Sequence, residues 1–251
     1  MSKKYKGKVC VYCGTGQSTT ADHVIAREFF LTGRRDKLPK APACDKCNTE
    51  KSTLEHYLTT ILPFGGRHPD AVANLKLMVP KRLQKNAKLH SELRAGLKQS
   101  SLVVLAPDGI WEQPTSLPFD PVRLEQLFAL IAKGLAWHHW RVCLGPGYSA
   151  IAGVFSDAGA EFVDRVLFAR KARDRKIVSL GGGTFTYEGL QAVDDPNLTI
   201  WRFSIYGGVS FGGDPRLPGQ RASQIIAVTG PSALIKRLES LQVKPRVTTE
   251  P

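Results

Sequence analysis

The sequence predicts an α+β protein: a small metal-stapled module at the N-terminus, followed by a mixed helical and antiparallel-sheet unit. Three observations carry this expectation. Two Cys-x-x-Cys pairs, Cys10/Cys13 and Cys44/Cys47, enclose a short β-rich stretch. Helical periodicity then runs from Asp45 to about Ile61 and resumes at Pro69. The C-terminal third alternates short strand-like runs with Gly, Pro, Asn and Asp. Three units are expected: a metal module over 1–66, a basic helical connector over 67–100, and an α+β unit over 101–251 that serves substrate selection, oligomerisation or partner binding.

Residues 1–9 are lysine-rich, with Lys3, Lys4, Lys6 and Lys8. Each Cys-x-x-Cys then forms a knuckle that brings two thiolates to one metal. Four thiolates around Zn²⁺ make a closed tetrahedral site, which holds structure and leaves no position open to activate water. Cys143 stands apart and reads as a buried core thiol. In the helix from Asp45, Leu54, Tyr57, Leu58 and Ile61 recur at helical spacing, and Pro63, Gly65 and Gly66 stop it. A second helical stretch is expected over 69–98, with Pro69 in its first turn and a break or kink at Pro80. Its polar face carries Lys76, Lys81, Arg82, Lys85, Lys88, Arg94 and Lys98, a solvated face or a surface that tracks a nucleic-acid backbone.

Residues 101–113 read as a hairpin around Pro107-Asp108-Gly109. Asp120-Pro121 is a cap and first turn that open a helix to about Val142, with an apolar stripe of Leu124, Leu127, Phe128, Ile131 and Leu135. Another helix is expected over 157–172. Strands are expected over 176–180, 184–193, 198–206, 209–211 and 224–228, and a last helix over Ser232–Leu241. His138-His139 reads as packing, Gly181–Gly183 as a turn, and Phe203, Tyr206 and Phe211 as sheet core.

Composition bounds the function. Hydrophobic residues make up 42% and charged residues 23%, ordinary for a globular protein. No apolar run reaches the roughly 18 residues of a membrane span, and the basic N-terminus lacks the apolar core of a secretory signal. A cytoplasmic protein is therefore expected, in which paired cysteines serve metal rather than disulfides. The net charge of +13 favours a polyanionic partner, most simply nucleic acid.

Between the knuckles lies Thr20-Ala-Asp22-His23-Val-Ile, and directly after the second lies Asn48-Thr-Glu-Lys51-Ser. With Cys10-Val-Tyr-Cys13-Gly and Ala-Cys44-Asp-Lys-Cys47, these motifs resemble the zinc-binding, four-cysteine subset of the HNH endonuclease family. The resemblance covers residues 10–52. It implies a treble-clef-like ββα-metal module, in which a hairpin and a helix hold one catalytic divalent cation, Mg²⁺ or Mn²⁺. By the same resemblance His23 is the general base, Asp22 a carboxylate ligand to that cation, Asn48 the helix-borne ligand, and the cysteines hold a structural zinc. The implied activity is phosphodiester hydrolysis in DNA. The alternatives are a non-catalytic zinc-dependent nucleic-acid-binding protein and an RNA-cleaving nuclease. One departure stands out: the stretch from Lys37 to Ala43 holds Pro39 and no asparagine, where the family often has a buttressing asparagine. Arg27, Arg34, Arg35, Lys40 and Lys51 surround the motif, and Arg27 and Lys51 are the expected phosphate contacts.

Overall fold

The computed structural model describes residues 4–99, 104–105, 111–112, 115–168, 171–211 and 222–241. Strands β1 (Thr20–His23) and β2 (Lys40–Ala43) pair antiparallel, from Thr20 opposite Ala43 to His23 opposite Lys40. Helix α1 (Asp45–Ile61) starts directly after β2, over the expected residues.

The expected helix over 69–98 is three short ones: α2 (Pro69–Leu77), α3 (Val79–Lys85) and α4 (Ala87–Ala95). Pro80 lies in the first turn of α3, where its missing N–H leaves no bond unmade, so it opens a helix instead of kinking one. Asn86 caps α4 by accepting the Leu89 N–H at 3.0 Å. Arg82, expected on the solvated face, is buried. Its guanidinium donates to the carbonyls of Thr59 and Glu28, both at 2.6 Å.

Two short antiparallel pairs follow, β3 (Lys98–Gln99) with β6 (Thr115–Ser116) and β4 (Val104–Leu105) with β5 (Trp111–Glu112). The second belongs to the expected hairpin, whose Pro107-Asp108-Gly109 turn lies outside the described residues. Helix α5 (Pro121–Trp140) begins as expected, with the Asp120 carboxylate accepting the Val122 and Arg123 N–H groups.

The large sheet is wholly antiparallel, in the order β7-β11-β10-β9-β8. Its strands are β7 (Tyr148–Ser156), β8 (Asp174–Leu180), β9 (Phe185–Gln191), β10 (Thr199–Ile205) and β11 (Ala222–Pro231). Strand β7 was not expected: Ser149, Ala150, Ala152 and Gly153 have weak strand preference, and pairing with β11 decides it. Residues 209–211, expected as a strand, form none. Helix α6 (Asp157–Val163) passes into one π-turn ending at Phe168, and residues 169–170 of the expected longer helix lie outside the described residues. Helix α7 spans Ser232–Leu241.

The expected units share one core. It runs from Cys10, Ile25 and Phe29 through Leu58 to Phe128 and Ile131 of α5, then to Phe185, Trp201 and Tyr206. The Tyr206 hydroxyl donates to the Phe29 carbonyl at 2.7 Å, tying the sheet to the segment after β1. Gly134 brings α5 against that same segment: a Cβ there would lie 2.7 Å from a Val24 methyl. His139 packs near-parallel to Trp201 and hydrogen-bonds the Tyr187 hydroxyl at 2.9 Å. Burial, helped by His138, lowers its pKa from 6.5 to about 4.

Two outcomes follow from this packing. Alanine is the better helix former by about 1 kcal/mol, but overpacking costs about 1–3 kcal/mol. Gly134→Ala is therefore expected to lower stability in urea unfolding by about 1 kcal/mol, not to raise it. For His139, the folded state disfavours the proton, so the unfolded chain binds more protons between pH 6.5 and 4. The contribution is complete above 6.5 and is lost as pH falls towards 4. The stability gap between the protein and His139→Gln should narrow over that window, and parallel pH curves would disprove the assignment.

Candidate functional site

The first knuckle is shaped by backbone hydrogen bonds. The Gly14 N–H donates to the Cys10 carbonyl at 2.9 Å, and the Cys10 N–H to Gly16 at 2.7 Å. Gly14 has φ +73°, and a Cβ there would stand 2.3 Å from the Leu144 carbonyl oxygen, so the turn needs glycine on both counts. The second pair sits at the start of α1, with Cys44 at the N-cap and Cys47 in the first turn.

All four sulfurs lie within 4.8 Å of one another. A tetrahedral Zn–S distance of about 2.3 Å implies sulfurs about 3.8 Å apart, so only a small contraction is needed. The cluster can hold a metal ion such as zinc. Burial pushes the Cys13 thiol up, but the amides of Thr15 and Gly16 outweigh it and hold it at about 6. Burial and the Cys44 thiol drive Cys47 strongly upward. A cation among the four sulfurs would favour their thiolate forms.

Lys133 of α5 supplies a charge behind this centre. Its ammonium donates to the Tyr12 carbonyl, inside the first knuckle, at 3.0 Å. Burial lowers its pKa, and the nearby thiol groups of Cys47, Cys13 and Cys10 oppose that shift. Cys143 is only partly buried, with its sulfur 3.9 Å from the Cys10 carbonyl.

The hairpin and α1 meet at Lys51. This side chain is 0% exposed, and its ammonium donates to the Asp22 carboxylate at 2.9 Å, to the His23 carbonyl at 2.8 Å and to Glu55. Its three protons thus have three oxygen acceptors. The expected phosphate contact at Lys51 is therefore corrected: an ammonium sealed in the core cannot reach a phosphate. The Tyr12 hydroxyl also donates to Asp22, at 2.5 Å. Both bonds fall on Oδ2, and among the described residues none reaches Oδ1. Burial pushes Glu55 up to about 7 despite Lys51.

His23 is half-buried beside this network, and its imidazole makes no hydrogen bond among the described residues. Burial lowers its pKa, reinforced by Lys40 and Arg27, which keeps the ring neutral near pH 7. Backbone hydrogen bonds hold the stretch around Pro39 against β1. The Val24 N–H donates to the Pro39 carbonyl at 2.9 Å, and Lys51 grips the His23 carbonyl.

Asn48 lies one turn before Lys51 on α1. Helical spacing sets it at the edge between the buried Lys51–Glu55 row and an open groove of about 650 Å³, whose walls include Ser52, His56, Asn86, Lys88 and Arg123. No hydrogen bond joins its side chain to Asp22 or His23. The structure therefore links the Asp22 carboxylate to the His23 backbone carbonyl through Lys51, and joins neither the His23 imidazole nor the Asn48 side chain to them by a hydrogen bond among the described residues. Arg27 is exposed. Arg34 and Arg35 are structural instead: Arg34 pairs with the buried Asp70 at 3.1 Å and Arg35 donates to the Phe30 carbonyl at 3.2 Å.

Tyr12, Glu55 and Lys133 were missed from the sequence. The Lys51/Glu55 spacing of four was visible as a helix pair, but nothing marks Lys133, which arrives from a distant helix. No protein-family model, curated protein or solved structure matches the chain. No helix among the described residues is long and apolar enough to cross a membrane.

Groups behind a metal's direct ligands typically tune affinity roughly 10–100-fold. Lys133→Met is expected to weaken zinc binding by about that factor in competition with a chromogenic chelator, with Lys133→Arg retaining most of it. Equal affinity in Lys133→Met would show that its charge does not act on the cluster.

Proposed function

We propose that this protein is a zinc-stapled HNH-type endonuclease that hydrolyses phosphodiester bonds in DNA. The observation that supports this best is the joint placement of Asp22 and the neutral His23 on a hairpin packed against the helix that carries Asn48. The four-cysteine cluster at the root of that hairpin is the structural zinc site. It is chemically saturated and takes no part in the reaction.

The residues suit the chemistry. His23, kept unprotonated by burial and by Lys40 and Arg27, accepts a proton from attacking water. Asp22 offers Oδ1, while Tyr12 and Lys51 orient the carboxylate through Oδ2, as ligating carboxylates are commonly oriented by outer hydrogen bonds. Asn48 offers an amide oxygen from the first turns of α1. Oxygen donors of this kind fit Mg²⁺ or Mn²⁺, which when bound would polarise the phosphate and stabilise the leaving oxygen.

A second reading has its own support. Lys51 already neutralises Asp22, and no bond links Asn48 to it. That arrangement also suits a zinc module that binds nucleic acid without cutting it. The experiment is cleavage of supercoiled plasmid, with an RNA substrate alongside, in Mg²⁺ and in Mn²⁺. The expected result is nicking or linearisation of DNA, with His23→Ala lowering the rate by roughly 10²–10⁴ and keeping its zinc. DNA binding with no cleavage under either metal would select the second reading.

A further inference from the structure

Apart from the hydrolytic residues, the fold gathers cations on the surface next to His23. Lys40 stands opposite His23 in the hairpin. Arg27 is exposed in the turn that follows β1. Helix α5 packs on β2, and its C-terminal end extends the same surface. There His138 lies against the Lys40 backbone. Arg141, in a left-handed conformation at the end of α5, places its guanidinium 4.4 Å from the Trp137 ring centre. Lys8 of the N-terminal segment lies over the same ring at 5.7 Å.

None of Lys8, Arg27, Lys40 and Arg141 is ion-paired to a carboxylate among the described residues. The carboxylate beside His23, Asp22, is committed to Lys51. Glu28 follows Arg27 in the chain, and Asp174, bonded to Trp140, is held by Lys176. The surface thus carries four cations with no ion pair among the described residues, against the one exposed carboxylate of Glu28 beside Arg27. Two of its cations rest on an aromatic ring that limits their freedom, which reduces the entropy lost on binding.

We infer that this strip, from Lys8 and Arg141 past His138 and Lys40 to Arg27, is the track on which the phosphate backbone of DNA lies as it crosses His23. The inference rests on the nucleic-acid reading above and adds a path to it. It also transfers the backbone-tracking role from the lysines of α2–α4 to a surface built by three separated parts of the chain.

The test uses the His23→Ala protein with zinc bound and no Mg²⁺ or Mn²⁺, so that binding is read without cleavage. Fluorescence anisotropy of a labelled duplex is followed over a range of salt. Each phosphate contact contributes about 0.9 to the slope of log affinity against log salt. Adding Lys8→Gln, Arg27→Gln and Arg141→Gln together should reduce that slope by up to about 2.7. A control with Lys81→Gln, Lys85→Gln and Lys88→Gln should leave it nearly unchanged. The charge-keeping set Lys8→Arg, Arg27→Lys and Arg141→Lys should restore the parent slope, which separates lost charge from lost fold. A slope that falls in the helix control and not in the strip variant overturns the track while leaving the nuclease reading intact. No salt-dependent binding by the parent overturns both.

Discussion

The buried ammonium of Lys51 is the interaction on which the N-terminal architecture turns. A lysine at 0% exposure is stable only if its charge and its three protons are satisfied. Here the acceptors come from β1, through the Asp22 carboxylate and the His23 carbonyl, and from its own helix, through Glu55. The hairpin cannot slide along α1 without taking two of the three acceptors, Asp22 and the His23 carbonyl, from that buried ammonium, and breaking a buried pair typically costs about 3–5 kcal/mol. The same bonds fix the Asp22 carboxylate and the His23 backbone.

A second constraint comes from α5. This helix is apolar nearly all round because it is covered on two sides, by the hairpin module and by the five-stranded sheet. Gly134 lets it approach Val24, Lys133 reaches the first cysteine knuckle, and His138 meets β2. The four-cysteine cluster and the sheet are consequently parts of one packed body. A metal ion held at the cysteines would be linked to the stability of far more of the chain than the knuckles themselves.

Electrostatics then divide the cations into two populations. Lys51 and Arg82 are drawn inward to fixed acceptors and the exposed Arg34 is tied to the buried Asp70, whereas Lys8, Arg27, Lys40 and Arg141 have no carboxylate ion pair among the described residues. A net charge of +13 says nothing about this partition, which depends on where each side chain lands after folding.

Much was legible in the residues alone. The two Cys-x-x-Cys pairs marked the four-cysteine cluster that can hold a metal ion. Helix α1 and the start of α5 were readable from periodicity and from the Asp120-Pro121 cap, which are local properties. So were β8 to β11 as strand-forming runs, though not their order. Strand β7, with its weak intrinsic preference, exists because β11 supplies an edge to pair with. The burial of Lys51, the reach of Lys133 and the assembly of a positive strip beside His23 all involve residues far apart in the chain. Local sequence carries no record of such distances, so only tertiary packing could decide which lysines face the core and which face solvent.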